Sequence, residues 1–146
     1  MGNPNGVYIR SCAQVPFTSF VLQRNTFMRA HRDMNNAMQS LNAVLPCSAF
    51  TGRGVWVQDP NGNYASMDGT MRGTVLNLTL PGVTFDPQQW HETRSWTGDR
   101  ITIAIFTVRA VDDLTPAHVA TLRRLEFAIP EPPAPTAPPA MNLDSE

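Results

Sequence analysis

Residues 91–108 read H-E-T-R-S-W-T-G-D-R-I-T-I-A-I-F-T-V. The closing run, 101–108, is the strongest strand in the chain, rich in β-branched and aromatic residues. Working outward, shorter runs of the same character occur at 7–13, 17–23, 41–45, 55–57 and 83–85, the first two separated by Pro16. In 74–80, Val75, Asn77 and Thr79 alternate with Leu76, Leu78 and Leu80, the period of a half-buried strand. Turn chemistry punctuates these runs: T-G-R-G at 51–54, D-P-N-G-N at 59–63, Pro81-Gly82 and Asp86-Pro87. Residues 25–30 read as a connection, and the Asn-rich 34–41 fits no single class. No helical segment lies between the strands, so parallel βαβ units are excluded. Many short strands joined by Gly/Pro turns imply a mainly all-β sandwich or barrel.

A single helix is expected late in the chain. Thr115 can cap its N-terminus, Pro116 suits its first turn, and Val119, Leu122 and Leu125 fall on one face. Its expected task is to cover the barrel. The polar start, 1–6, reads as loose. From Pro130 the chain runs P-E-P-P-A-P-T-A-P-P-A, a polyproline-type stretch with nothing to bury. The expected organisation is therefore one domain over 1–129 and a disordered Pro-rich tail over 130–146, with docking to a proline-binding partner as the alternative use of that tail.

Composition narrows the function classes. The 146 residues carry a formal net charge of −1, and all eleven basic residues are Arg. Such a balance gives no strong basic field and does not signal tight nonspecific nucleic-acid binding, although Arg suits phosphate recognition. Cys12 and Cys47 are the two cysteines, too few for a disulfide framework or a Cys-x-x-Cys metal motif, and they read as reduced thiols of an intracellular protein, nuclear or cytoplasmic. The N-terminus shows no signal-peptide pattern, and no stretch approaches transmembrane length, so no membrane partner is expected.

The candidate chemistry rests on His31-Arg32-Asp33 and on His91 with Arg100 nine positions later. Residues i and i+2 of an extended segment share a face, so His31 and Asp33 can converge on one metal while Arg32 points away. A barrel can bring His91 to them from another strand. Two His and one carboxylate form the facial ligand set of non-haem Fe(II), and the lack of thiolates argues against structural zinc. Three protein ligands leave octahedral positions open for a 2-oxo acid and dioxygen. Arg100 is then placed to grip the remote carboxylate of 2-oxoglutarate through two parallel charge-assisted hydrogen bonds, with a hydroxyl contact from Thr102 on the same strand face. A bland reading stands beside each piece: a polar loop for His31 and Asp33, a structural His91, and a surface Arg100 paired with Asp99. The third histidine, His118, falls on the expected helix and reads as solvent-facing.

The same residues suggest a family. F-M-R-A-H-R-D-M-N-N-A-M-Q-S at 27–40 resembles the metal-binding segment of the TET/JBP dioxygenases, where H-R-D is followed shortly by Asn. F-D-P-Q-Q-W-H-E-T-R-S-W-T-G-D-R-I-T-I-A-I-F-T at 85–107 resembles the second half of many 2-oxoglutarate oxygenase barrels, and F-T-G-R-G-V-W-V at 50–57 resembles an intervening strand. The resemblance spans about two thirds of the chain, from 17 to 108. It implies a double-stranded β-helix (jelly-roll, cupin-like) fold with Fe(II) at His31, Asp33 and His91 and 2-oxoglutarate at Arg100. Asn36, or its neighbour Asn35, would sit near the iron and steady the co-substrate or the substrate.

The implied reaction couples oxidative decarboxylation of 2-oxoglutarate to hydroxylation of a C–H bond. TET/JBP enzymes act on the 5-methyl group of a pyrimidine in DNA or RNA, which must be extruded or single-stranded to be reached. Trp56, Tyr64, Trp90 and Trp96 are candidate stacking residues, each with core packing as its bland counterpart. Arg53, Arg72 and Arg94 are candidate phosphate contacts. The chain begins thirty residues before His31, so the family's N-terminal helical support is not expected here. Two alternatives stay open: a 2-oxoglutarate oxygenase acting on a protein side chain or small molecule, and a decayed barrel serving as a binding module.

Overall fold

β10 (Ile101–Phe106) is an inner strand, paired antiparallel to β1 (Ser19–Arg24) on one side and β2 (Asn42–Pro46) on the other. Its two faces explain its sequence. Ile105 is fully buried and packs with Ile103 against Phe17, Ala43 and Leu45 on the outer face, while Ala104 joins the inner cluster around Val44. A strand covered on both sides loses the apolar/polar alternation, which is why 101–106 is almost continuously apolar.

The computed structural model describes residues 15–131. The remaining strands are β3 (Thr51–Gly52), β4 (Val55–Gln58), β5 (Tyr64–Ala65), β6 (Arg72–Leu76), β7 (Val83–Phe85), β8 (His91–Thr93) and β9 (Trp96–Thr97). They form two four-stranded sheets, ordered β1-β10-β2-β7 and β5-β6-β4-β8, and a two-stranded ribbon of β3 and β9. Every pairing among the described strands is antiparallel. The expectation of a mainly β protein therefore holds. Val44 and Phe85 of the first sheet pack against Val55 of the second, and this inter-sheet layer is the frame of the site.

Trp56 in β4 is the largest fully buried side chain, and its indole N–H donates to the Tyr64 carbonyl at 3.0 Å. Its ring lies against the backbone of β6 at Gly73, where an added Cβ would fall 2.4 Å from Trp56 Cε2 and 2.3 Å from the Val57 carbonyl. Only glycine permits that approach.

Several boundaries differ from expectation. Thr51 and Gly52, read as a turn, pair with Thr97 and Trp96. The strand expected over 74–80 starts at Arg72 and stops at Leu76, because Val55↔Leu76 is the last rung that β4 supplies. Without a neighbour to satisfy its backbone the chain turns, with Gly82 N–H donating to the Thr79 carbonyl at 2.7 Å, and Leu80 is left exposed. The strand expected over 7–13, Cys12, and the tail from 132 onward lie outside the described residues.

After β10 come a 3-10 turn (Arg109–Asp113) and helix α1 (Pro116–Arg124). Thr115 caps the helix as expected, accepting from His118 N–H at 3.2 Å, and His118 is exposed. The covering role does not fall to the helix face: Val119 and Leu122 are half-buried, but Leu125 is exposed. Instead the helix ends in a Schellman motif, with Glu126 at φ 65°, Phe127 N–H on the Leu122 carbonyl and Glu126 N–H on the Arg123 carbonyl. This reversal sends Phe127 and Ala128 onto the outer face of the first sheet, where the Phe17 and Phe127 rings lie 5.2 Å apart and Phe17 N–H donates to the Ala128 carbonyl at 2.7 Å. No described helix is long and apolar enough to cross a membrane.

Candidate metal centre

One cross-strand pair builds the site. His31 and His91 exchange backbone hydrogen bonds of 3.0 and 2.9 Å in an isolated antiparallel bridge, which adds His31 as an extra rung beyond β8. Directly opposed residues of an antiparallel pair project to the same face. The two imidazoles accordingly sit with ring centroids 4.3 Å apart. Asp33, two residues past His31, is held by its N–H on the Pro87 carbonyl at 2.9 Å.

The side chains converge. His31 Nε2 lies 3.5 Å from Asp33 Oδ1, and His91 Nε2 lies 3.6 Å from Asp33 Oδ2. One potential ligand atom from each of the three residues falls within 4.8 Å of the others, so the group could hold a metal ion. Both rings are oriented from behind: Nδ1 of His31 meets the Arg29 carbonyl at 2.7 Å, and Nδ1 of His91 meets the Gln89 carbonyl at 2.8 Å. A carbonyl only accepts, so each Nδ1 carries a proton, and a neutral ring then presents its Nε2 lone pair to the common point. This is the carbonyl anchoring that orients metal-binding histidines in general. The polar contact with His91 holds the Asp33 carboxyl below its ordinary range, against the opposing effect of desolvation; the Asn42 amide and, whenever its ring is protonated, His31 act in the same direction as His91.

These groups open on a cavity of about 240 Å³ between the sheets. Its apolar wall includes Val21, Met28, Val44, Phe85 and Phe106. Arg100 lines the same cavity and is only 2% exposed. The bland pairing with Asp99 does not occur: Asp99 accepts from Arg24 Nε and Nη2, both at 2.9 Å, on the surface. Among the described residues no carboxylate forms an ion pair with Arg100, and its Nε has no hydrogen-bond partner. It lies between aromatic faces, 5.6 Å from the Phe50 centroid and 5.3 Å from that of Trp96, and burial pushes its pKa down. A desolvated guanidinium facing a cavity without a counter-ion is a site for an anion.

The structure therefore brings His31, Asp33, Asn36, His91 and Arg100 to one cavity. Thr102 shares the strand face of Arg100 but is fully buried and does not line the cavity, its hydroxyl without a partner among the described residues. Asn36 is 6% exposed and donates to Asn42 Oδ1 at 2.8 Å, and Asn42 donates in turn to Asp33 Oδ2 at 2.7 Å. Asn42 escaped the sequence reading; a polar residue second in the apolar run 41–45 was the one trace of it. The aromatic candidates divide. Trp56 is core, flanked by Arg94, which also pairs with the buried Glu92 at 3.3 Å and donates to the Ala65 carbonyl. Trp96 is taken by Arg100, Trp90 stacks with Arg32 at 5.2 Å, and the exposed Tyr64 stacks with Arg53 at 5.0 Å. Arg72 is exposed. Comparison with family models, with curated proteins and with solved structures finds no match to this chain.

Proposed function

We propose that this chain is an Fe(II)- and 2-oxoglutarate-dependent dioxygenase of double-stranded β-helix fold, most like the TET/JBP type, hydroxylating the 5-methyl group of a pyrimidine in nucleic acid. The observation that carries the reading is one cavity that holds both a two-histidine, one-carboxylate cluster and a buried guanidinium without a counter-ion among the described residues. Together the two halves match the two attachment points of a metal-chelated dicarboxylate.

The strand order supports the jelly-roll. With the His31 rung counted as the second of eight principal strands, one sheet runs first, eighth, third, sixth, and the other fifth, fourth, seventh, second. Successive strands thus alternate between the sheets except the fourth and fifth, which pair with each other within the second sheet, a winding that fits a double-sheet jelly-roll.

In this reading His31 and His91 bind iron through Nε2 and Asp33 through a carboxylate oxygen, and the donor set suits Fe(II). Bound there, Fe(II) with 2-oxoglutarate and dioxygen would supply oxidative decarboxylation to succinate and CO₂, one oxygen atom of O₂ entering succinate and the other the hydroxylated C–H bond. Arg100 pairs with the remote carboxylate and sets which end of the co-substrate faces the metal. Val21, Val44, Phe85 and Phe106 give the cavity an apolar wall beside the reacting groups. The pyrimidine assignment rests on the resemblance of 27–40 to the family. A second reading, oxidation of a protein side chain or small molecule, is favoured by the near-neutral charge and by the engagement of Trp56 and Trp96 within the fold.

The test is succinate release by purified protein with Fe(II), 2-oxoglutarate and single-stranded oligonucleotides carrying 5-methylcytosine, thymine or neither. Release that depends on the 5-methyl group supports the full reading. Release that ignores the oligonucleotide favours the second, and none under any condition contradicts both.

A further inference from the structure

We infer that Asn42 is a positioning residue of the metal centre: it fixes Asp33 as a ligand through one oxygen, and Asn36 fixes Asn42. The inference rests on the iron reading and adds to it a residue that does not itself meet the metal.

The argument starts from donor and acceptor types. An ionised carboxylate only accepts, so Asn42 must turn its NH₂ toward Asp33, and the 2.7 Å contact is a donation to Oδ2. That choice leaves Asn42 Oδ1 facing away as an acceptor. Asn36 satisfies it with its own NH₂ at 2.8 Å. The chain Asn36→Asn42→Asp33 therefore has one self-consistent orientation, and a flipped Asn42 would set its oxygen against a carboxylate and its NH₂ against another NH₂. Both amides are 6% exposed, so water does not readily replace either link.

The backbone makes the relay rigid. Asn42 opens β2 and pairs with Phe85 of β7. Asn36 is bridged to Val108, with Ala37 N–H on the Thr107 carbonyl at 2.8 Å. The relay thus ties the connection carrying Asp33 to the first sheet, whereas His31 and His91 belong to the second. With one lone pair of Oδ2 taken by the amide, Oδ1, the oxygen nearer His31, is the less encumbered oxygen and is assigned as the ligand. Asp33 sits in a loop whose side chain is about one third exposed, so without this contact its carboxylate has rotational freedom that the two anchored imidazoles lack.

The experiment is a Co(II) titration of the protein followed by visible absorbance, with melting temperatures of the metal-free and loaded forms, on wild type, Asn42→Leu and Asn36→Leu. Leucine keeps the shape of asparagine and removes its donor. The expected result is a loss of Co(II) affinity of about tenfold to a hundredfold in Asn42→Leu, the usual weight of a group that orients a metal ligand. Its metal-free melting temperature should fall modestly, because the buried Asn36 NH₂ loses its acceptor, its Co(II) band should change shape, and Asn36→Leu should lose less affinity. A merely structural Asn42 would lower the metal-free melting temperature and leave affinity and band unchanged, which overturns the inference. If Asn42→Leu does not fold, Asn36→Leu decides, since it frees the Asn42 amide without touching Asp33: unchanged affinity there overturns the inference and weakened affinity upholds it. Failure of wild type to bind Co(II) overturns the iron reading itself, and with it this inference, and is distinguishable because it precedes any substitution.

Discussion

Replacing Arg100 with methionine should separate its role in binding from its role in folding. In the metal-free protein this guanidinium is 2% exposed, has no carboxylate partner among the described residues, and is compensated by the faces of Phe50 and Trp96. Burying an unpaired ion costs several kcal/mol even after relaxation, and two desolvated cation–π contacts return about 2 kcal/mol each. The terms nearly cancel, so an apolar side chain of similar length should leave metal-free stability within about 1 kcal/mol of wild type. Binding should respond very differently. Two charge-assisted hydrogen bonds to a carboxylate contribute about 1.5 kcal/mol each at the low end. Together they amount to about 3 kcal/mol, or roughly a hundredfold in Kd for 2-oxoglutarate. Calorimetry with Mn(II)-loaded protein measures the affinity, and urea unfolding of the metal-free protein measures the stability. Unchanged 2-oxoglutarate affinity in Arg100→Met would refute the anion-site argument. So would a loss of several kcal/mol of metal-free stability, because it would make Arg100 a structural residue.

Two further outcomes follow from the packing and from the charge of the site. Gly73→Ala should destabilise the fold by about 1–3 kcal/mol, the range for overpacking, because the new Cβ meets both the Val57 carbonyl and the Trp56 ring; a thermal melt at wild-type temperature would disprove the close approach. Asp33 titrates below the ordinary carboxylate range in the folded protein, so its contribution to stability is present above about pH 4 and is lost as pH falls through its lowered value. Asp33→Asn should therefore flatten the acid limb of the metal-free stability curve measured by urea unfolding, and an unaltered limb would count against the His91–Asp33 contact.

The convergence of His31, Asp33 and His91 was legible because the residue types were few and the spacing local. With three histidines in the chain, an i, i+2 pair and one distant partner left little choice, and extended geometry puts His31 and Asp33 on one face. Arg100 was legible as a residue but not as an environment: its isolation depends on Asp99 turning outward to Arg24, a contact across 75 positions. Asn42 was hidden for the same reason. Its polarity is visible in sequence, but what it faces is set by how 31–42 folds back between the sheets. Among the strands, long apolar runs such as 101–106 declared themselves, while the two-residue pairing of Thr51–Gly52 with Trp96–Thr97 has no local pattern. The run at 74–80 carries strand periodicity past the point where its partner ends. The apolar stripe of α1 was visible, but the αL turn at Glu126 that hands the covering task to Phe127 sits on a residue type that does not advertise it.

The central claim is that one cavity binds iron and 2-oxoglutarate together. It is tested most directly by anaerobic titration of the purified protein with Fe(II) and 2-oxoglutarate, monitored for the visible charge-transfer band of the chelate, with Asp33→Ala as the control. The expected result is a band that requires both components and is absent in the control. A well-folded wild-type protein that gives no band with both components present would contradict the claim.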